Sequence, residues 1–154
     1  MQTKIFLASF EHEGNSYKGI LPKKGTFDSA GVDVATPYSF TLKKGDTHFV
    51  NTGLIIRAPR GYCIQVLPRS SLATKKGIVI PNSPGLIDRD YSGPEDIIKV
   101  ALKNTSNSEV SFEAGDRIAQ LIFTPVISPS WDEQDSADFS RSQSRGGFGS
   151  TGLR

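Results

Sequence analysis

The sequence predicts an all-β protein, because its apolar residues occur in short runs that glycine and proline interrupt. The 154 residues include 15 glycines and 9 prolines, spread along the whole chain. Several runs alternate apolar with polar residues, at the two-residue period of a β-strand. Many short strands separated by frequent turns are typical of a sandwich or a barrel.

The same pattern assigns the strands in chain order. Leu54–Ile56 and Ile78–Ile80 are continuous runs rich in β-branched residues, which suit strands buried on both faces. Tyr62–Val66, Ile98–Lys103 and Val110–Phe112 alternate, which predicts half-buried strands. The turn signals between the runs are Lys44-Gly45-Asp46, Pro59-Arg60-Gly61 and Ala114-Gly115-Asp116.

One segment interrupts the β pattern and predicts a single short helix. Within Arg69–Gly77 a serine can act as the N-cap, and Gly77 can end the helix. The first turn would combine unpaired backbone N–H groups with two hydroxyls and the guanidinium of Arg69, which together suit a phosphate. The segment alone fits a plain capped turn equally well.

The end of the chain differs in composition from the rest. Residues 1–131 are predicted to form the folded core, whereas 132–154 are acidic at first and then rich in Ser, Arg and Gly. The near absence of aliphatic residues predicts a flexible C-terminal arm. Glycines in 146–152 would let the backbone approach a ligand closely, and Phe148 among them offers a stacking face. The arm is therefore a plain tail or a segment that orders over a nucleotide.

Composition excludes several classes of protein. The 18 basic and 16 acidic residues give a net charge of +2, without the clustered excess that marks a nucleic-acid-binding face. Cys63 is the only cysteine, so no internal disulfide can form, which favours a reducing compartment. The N-terminus has no signal-peptide pattern, and no apolar run reaches membrane-spanning length. We therefore expect a cytoplasmic protein with no membrane or nucleic-acid partner.

Five short motifs occur in an order that is hard to obtain by chance. They are Ser29–Val34 (SAGVDV), Pro68–Ala73 (PRSSLA), Asn82–Gly93 (NSPGLIDRDYSG), Gly115–Ile122 (GDRIAQLI) and Gly146–Gly152 (GGFGSTG). In this set the chain resembles the trimeric dUTPase family. The resemblance implies a β-barrel or jelly-roll sandwich that hydrolyses dUTP to dUMP and pyrophosphate, which limits uracil incorporation into DNA and supplies dUMP for dTMP synthesis.

The resemblance also implies the residues that act on the phosphates. Asp88 is the carboxylate that deprotonates the attacking water, although an aspartate in a turn more often bonds local backbone. On a strand, Asp88 and Asp90 would share one face. Asp33 supports the arginine of the second motif. The residues that hold the phosphates are Arg69, Ser70, Ser71 and Gln120.

The third motif and the arm are implied to bind the nucleoside. The hairpin Asn82–Tyr91 reads the uracil edge, and Tyr91 excludes a ribose 2′-hydroxyl. The contacting residues are Asn82, Gly85, Leu86, Ile87, Tyr91 and Lys99 from the core, with Arg145, Phe148, Gly149 and Ser150 from the arm. Mg²⁺ is implied to be carried by the triphosphate and its waters rather than by protein ligands. The resemblance further implies a homotrimer in which each site draws on three subunits.

Two departures from the family pattern leave assignments open. Gln143 stands where the family usually has the arginine that binds the γ-phosphate, so Arg141 or Arg145 must replace it. Pro94–Asp96 reads as a short insertion, which weakens the alignment of Lys99. The alternatives are a relative of dCTP deaminase, which would require a glutamate base, and a β-domain that binds nucleotide without catalysis. The two histidines, expected on surfaces or loops, are His12 and His48.

Overall fold

The computed structural model describes residues 3–133, and every strand pairing within them is antiparallel. The predicted all-β class is confirmed. Beyond residue 133, the C-terminal arm lies outside the described residues. In chain order the strands are β1 (Lys4–Leu7), β2 (Ser9–His12), β3 (Asn15–Lys18), β4 (Lys23–Lys24), β5 (Val32–Ala35), β6 (Phe40–Leu42), β7 (Thr47–Asn51), β8 (Leu54–Arg57), β9 (Tyr62–Leu67), β10 (Ile78–Val79), β11 (Gly85–Ile87), β12 (Lys99–Asn104), β13 (Val110–Phe112) and β14 (Arg117–Pro125).

Several small sheets share one core. Within residues 3–133, the largest sheet has the order β11-β9-β14-β5-β4 and the next has the order β10-β12-β7, while β1 pairs with β8, β6 with β13 and β2 with β3. Each fully buried apolar side chain contributes about 1.5–3 kcal/mol to the free energy of unfolding. No helix in this range is long and apolar enough to cross a membrane. The largest fully buried side chains are those of Tyr38, Phe112, Leu42, Leu54, Ile64 and Ile78.

The predicted strands are present, with two departures in burial: Ala101 is more buried than the alternation indicated, and Val79, in a run predicted to be covered on both faces, is only half-buried. The run Leu54–Ile56 is buried throughout, as predicted for a strand covered on both faces. The alternating run near Val100 forms β12, the central strand of its sheet, in which Ala101 is also buried. Ala101 is small and lies directly opposite Phe49 of β7, so its neighbours shield it from solvent. The predicted alternation therefore holds for β12, with Lys99 and Lys103 exposed, except at Ala101.

The single predicted helix is confirmed, and its cap is corrected. A short helix spans Leu72–Lys76, and Gly77 ends it in the left-handed conformation with φ 64°. The N–H of Gly77 donates to the carbonyl of Ala73 at 3.1 Å. Ser71 occupies the N-cap position, but its φ of −77° and ψ of −19° are helical, and its side chain makes no capping hydrogen bond. A capping side chain needs extended backbone at that position.

Both histidines are half-buried on strands, which corrects the expectation of a loop position. His12 belongs to β2 and His48 to β7, and their ring centroids lie 4.2 Å and 6.3 Å from that of the buried Tyr38. The Tyr38 hydroxyl lies 3.4 Å from His48 Nε2 and accepts a hydrogen bond from the backbone N–H of Asn51 at 3.1 Å. Burial raises the pKa of Tyr38. These contacts fasten the β2–β3 hairpin to the core.

The position of His48 predicts that acid weakens the fold. Burial, together with the neighbouring His12, lowers the pKa of His48 below its ordinary value of 6.5, although Glu13 acts in the opposite direction. Between the lowered pKa and 6.5 the unfolded chain binds more protons than the folded one, so stability falls as the pH drops through that range. The melting temperature of the His48→Phe variant should decline less steeply below about pH 6.5 than that of wild type. Equal declines for both proteins would show that His48 does not control this sensitivity.

Candidate functional site

Three neighbouring strands bring residues from three motifs together. Gln120 of β14 lies directly opposite Asp33 of β5 on one side and Leu67 of β9 on the other. Directly opposite residues on adjacent strands have Cβ atoms about 4.5–5.5 Å apart, and their side chains lie on the same face. Arg69 follows shortly after Leu67, where the chain leaves the sheet. The register of the sheet therefore gathers the first, second and fourth motifs.

Asp33 is the charged centre of this group. Its Oδ1 accepts a hydrogen bond from Arg69 Nε at 2.8 Å, and its Oδ2 accepts one from Arg117 Nη1 at 3.1 Å. The side chains of Asp33 and Arg69 are 16% and 22% exposed, whereas that of Arg117 is 56% exposed. The contact expected between Asp33 and the arginine of the second motif is present. It fixes the guanidinium and leaves its terminal nitrogens available to an anion.

Arg117 is a member of the site that the sequence did not indicate. The β5–β14 register shifts between Arg117, opposite Ala35, and Ala119, opposite Val34, so that Ile118 is an extra residue. Such a bulge turns a side chain in a new direction, here toward Asp33. Arg117 belongs to the fourth motif, but neither its charge nor its spacing shows that the strand bulges there. The only available signal was its position beside the turn that precedes β14.

A polar cavity of about 320 Å³ opens over these residues. Gln120 lies in its wall and donates through Nε2 to the carbonyl of Pro68 at 2.9 Å, which fixes the amide. A Cβ atom on Gly31 would lie 2.8 Å from Gln120 Oε1, so a larger residue there would push the amide out of its position against Pro68. Cationic and hydroxyl donors around an open polar space suit a polyanion such as a chain of phosphates. The lining residues are Gly25, Ser29, Ala30, Gly31, Asp33, Arg69, Ser70 and Gln120.

Asp88 lines a different cavity, of about 450 Å³. It follows directly after β11 and begins a turn in which its carbonyl accepts a hydrogen bond from the N–H of Tyr91 at 3.3 Å. Asp88 and Asp90 therefore lie in a turn, and the shared strand face considered for them does not exist. Both are exposed to solvent. The cavity is lined by Gly61, Tyr62, Cys63, Asp88, Arg89, Asp90, Val126 and Ser128.

The two cavities lie at opposite ends of β9. Ile87, immediately before Asp88, pairs with Ile64 near the start of β9, whereas Arg69 lies beyond its last residue, Leu67. About six residue positions separate the levels of Asp88 and Arg69, which is about 20 Å at ~3.3 Å per residue. A general base must lie within a hydrogen bond, or one water, of the group on which it acts. Within one copy of the chain, Asp88 and Arg69 therefore lie too far apart to act on the same reacting group.

The other residues predicted to bind substrate are placed as follows. Leu86 is 62% exposed on β11, and Tyr91 is 41% exposed with its hydroxyl donating to the carbonyl of Ile97 at 3.3 Å. Lys99 begins β12, opposite Asn51, and lines neither cavity. Ser71 directly follows Ser70, which lines the polar cavity beside Arg69. Asn82, Gly85 and Ile87 precede Asp88 on the segment that contains β11. Arg145, Phe148, Gly149 and Ser150 lie outside the described residues.

Sequence comparison links this chain to known proteins over most of its length. A family model described as dUTPase matches residues 17–152. The deoxyuridine 5′-triphosphate nucleotidohydrolase of Rickettsia prowazekii is 43% identical over 140 residues, which cover 90% of this chain and 92% of the relative. The match therefore includes all five motifs.

Solved structures share the fold. The crystal structure of the dUTPase from Streptococcus mutans has a TM-score of 0.68 and 33% identity, covering 72% of this chain and 89% of that one. The dUTPase of Staphylococcus bacteriophage 80alpha, solved with dUpNHpp, has a TM-score of 0.80 and covers 99% of both chains. A mutant dUTPase from phage phi11 of S. aureus, whose structure shows the coordination of a structural Mg(II) ion, has a TM-score of 0.74 and covers 90% of this chain and 100% of that one. The two phage proteins are 21% and 19% identical to this chain, so they show the fold alone.

Proposed function

Since the chain belongs to the dUTPase family, we infer that it is a dUTP nucleotidohydrolase, which converts dUTP to dUMP and pyrophosphate. The observation that carries this inference is the cavity in which Arg69, Ser70 and Gln120 surround a polar space, with Arg69 held in place by Asp33. Arg69 and Gln120, fixed by Asp33 and Pro68, together with the hydroxyl of Ser70 suit the phosphates of a nucleotide. The site therefore has the charge and the shape for the family reaction.

An assay with separate nucleotides tests the function directly. Each of dUTP, dCTP, UTP and dTTP is supplied to the purified protein, and both pyrophosphate and ammonia are measured. We expect pyrophosphate from dUTP and little from the other three. Ammonia from dCTP would identify a deaminase, and the absence of any product would identify a binding domain; either result contradicts the proposal.

We propose that Asp88 is the general base of the reaction. An exposed carboxylate accepts a proton from water, and the resulting hydroxide attacks the α-phosphorus. The bond from that phosphorus to the bridging oxygen breaks, and pyrophosphate leaves with the bonding electrons. Asp88 has no side-chain hydrogen bond or ion pair to another residue within 3–133, so its carboxylate is available to water.

We propose that the active form is a homotrimer whose sites lie between subunits. The separation of Asp88 from Arg69 along β9 supports this, because a second subunit must supply one of them to a common substrate. Leu86 and Phe6 are each 62% exposed and Phe49 is 64% exposed, which is apolar surface suited to subunit contact. Sedimentation at assay concentration should give the mass of three chains.

We propose that Mg²⁺ enters the site with dUTP, held by phosphate oxygens and water. Asp33, the carboxylate that lines the phosphate cavity, already accepts hydrogen bonds from two arginines through both oxygens. Within residues 3–133 no group of three or more His, Cys, Asp or Glu side chains is arranged to hold a metal ion. These residues fit an ion that reaches the protein through water. When bound, the ion would neutralise charge on the phosphates.

Tyr91 is proposed to select deoxyribose over ribose. Its ring is partly exposed, and its hydroxyl is tethered to Ile97, so the ring presents a fixed flat face. A sugar packed on this face has no room for a 2′-hydroxyl. Tyr91→Ala should lower the dUTP-to-UTP ratio of kcat/KM by at least about tenfold, whereas Tyr91→Phe, which keeps the ring but loses the tether to Ile97, should retain most of the ratio. An unchanged ratio in the alanine variant would remove the ring from this role.

The arm is proposed to close over the substrate, with Arg145 on the γ-phosphate in place of the family arginine. Its residues lie outside the described range, so this proposal rests on the motif alone. Deleting 146–154 should reduce turnover sharply and leave the melting temperature of the core unchanged. Arg145→Ala should reproduce most of the loss that comes from γ-phosphate binding, and Arg141→Ala should be milder. A larger effect at Arg141 would mean that the arm binds in a different register.

A cytoplasmic location is part of the proposal. Cys63, the only cysteine, is a buried free thiol, which suits a reducing compartment. Fractionation of cells, with the enzyme followed by its dUTP-hydrolysing activity, tests the location. Recovery of the activity in a membrane or secreted fraction would contradict it.

A further inference from the structure

A smaller cavity, of about 180 Å³, adjoins the phosphate cavity, and Arg69 lines both. The short helix and the start of β14 form its walls, and Leu72 and Phe112 form its apolar part. None of its other charged residues was assigned to substrate by the motifs. These residues are Lys75, Lys76, Asp116 and Arg117.

Positive charge exceeds negative charge around this cavity. Arg69 and Arg117 share the single carboxylate of Asp33. Lys76 lies 3.9 Å from Asp116, and Lys75 has no ion-pair partner within residues 3–133. Four cations thus face two carboxylates. The uncompensated charge matches an anion that carries at least two negative charges.

The ring of Phe112 holds Lys76 in place. Lys76 Nζ lies 4.7 Å from the centroid of the Phe112 ring, and Phe112 is buried and stacked on Phe40 at 4.9 Å. A cation over an aromatic face is attracted by the ring quadrupole, so this ammonium has a defined position. Gly77 ends the helix directly after it, which keeps both lysines in the last turn beside the cavity. Lys76, Arg69 and Arg117 therefore have defined positions before an anion arrives.

We propose that this cavity is a subsite for inorganic pyrophosphate, which receives the product as it leaves the phosphate cavity. The proposal rests on the proposed dUTP hydrolysis, because pyrophosphate is a product of that reaction. Arg69 reaches both cavities, so the anion can remain paired with a guanidinium while it moves toward Lys75 and Lys76. The transfer empties the phosphate cavity for the next substrate. No covalent bond changes in this step.

Charge-neutral variants test the subsite. Binding of inorganic pyrophosphate is measured by calorimetry with the substrate site saturated by a non-hydrolysable dUTP analogue. In Lys75→Gln/Lys76→Gln the Kd for pyrophosphate should rise about tenfold, and product inhibition should weaken equally. The matched control is Lys43→Gln/Lys44→Gln, an exposed lysine pair that lines neither cavity and should leave the Kd unchanged. Lys75→Gln alone, which leaves the Lys76–Phe112 contact intact, should give part of the effect.

The outcomes separate this proposal from the proposed function. An unchanged Kd in the Lys75→Gln/Lys76→Gln variant, with normal dUTP turnover in wild type, would overturn the subsite and leave the function standing. Pyrophosphate binding at the lysines without dUTP turnover would overturn the function instead. A rise in the KM for dUTP as large as the rise in Kd would place the lysines in the substrate site and would also overturn a separate subsite. If Lys43→Gln/Lys44→Gln raises the Kd for pyrophosphate as much, the effect comes from net charge, and the subsite would also be overturned.

Discussion

The Asp88→Asn variant should lose about 10²–10⁴-fold in kcat for dUTP while binding the substrate about as well as wild type. The amide keeps the size and polarity of the side chain but accepts no proton from the attacking water. Asp88 lies in an exposed turn after β11, outside the core, so its replacement should not affect folding. Single-turnover kinetics, with substrate affinity measured separately, will distinguish lost chemistry from lost binding.

Asp90→Asn is the matched control for that change. It removes a carboxylate from the same turn and the same cavity, two residues further along. We expect a much smaller loss in kcat, because the reaction activates one water and Asp88 is the carboxylate proposed to act on it. If Asp90→Asn is the more damaging variant, the roles of the two residues are exchanged. If Asp88→Asn retains turnover close to that of wild type, the base is another group.

The sequence predicted local structure well where one residue type dominates the energetics. Short β-branched runs gave buried strands, as at Leu54–Ile56, because burial of apolar surface needs no specific partner. Gly77 ended the helix as predicted, because few other residues adopt a left-handed conformation without strain. The serine cap was wrong because capping depends on the backbone angles of Ser71, which neighbouring packing sets. Local preferences were reliable only where tertiary contacts did not override them.

Long-range contacts account for what the sequence could not predict. His12 and His48 meet around Tyr38 only because the β2–β3 hairpin folds back over β7, which no local period indicates. Arg117 reaches Asp33 through a bulge whose register is set by pairing with β5. The contact between Asp33 and Arg69 was expected, but only from the family resemblance. Fold class was thus accessible from pattern, whereas the geometry of the site required the sheet register.

Mixing two inactive variants should restore activity if the sites lie between subunits. Asp88→Asn lacks the proposed base, and Arg69→Ala lacks the guanidinium of the phosphate cavity. Each homotrimer therefore has three defective sites. When the two chains assemble at random, about a quarter of the sites between subunits receive Asp88 from one chain and Arg69 from another. The mixture should therefore regain about a quarter of wild-type turnover after co-refolding or co-expression. This result follows from the separation of Asp88 and Arg69 along β9.

Two controls define what the mixture shows. Mixing the proteins without subunit exchange should give no activity, because each trimer keeps one type of chain. A single chain that carries both Asp88→Asn and Arg69→Ala, co-assembled with an equal amount of wild type, should leave about a quarter of the sites intact if they lie between subunits, and the masses of the intact trimers show whether the chains have mixed. If the mixture of single variants stays inactive while this control assembles, Asp88 and Arg69 serve the same site from one chain. The loop after β11 would then have to cross about 20 Å on binding substrate, and the proposed trimeric site would be wrong.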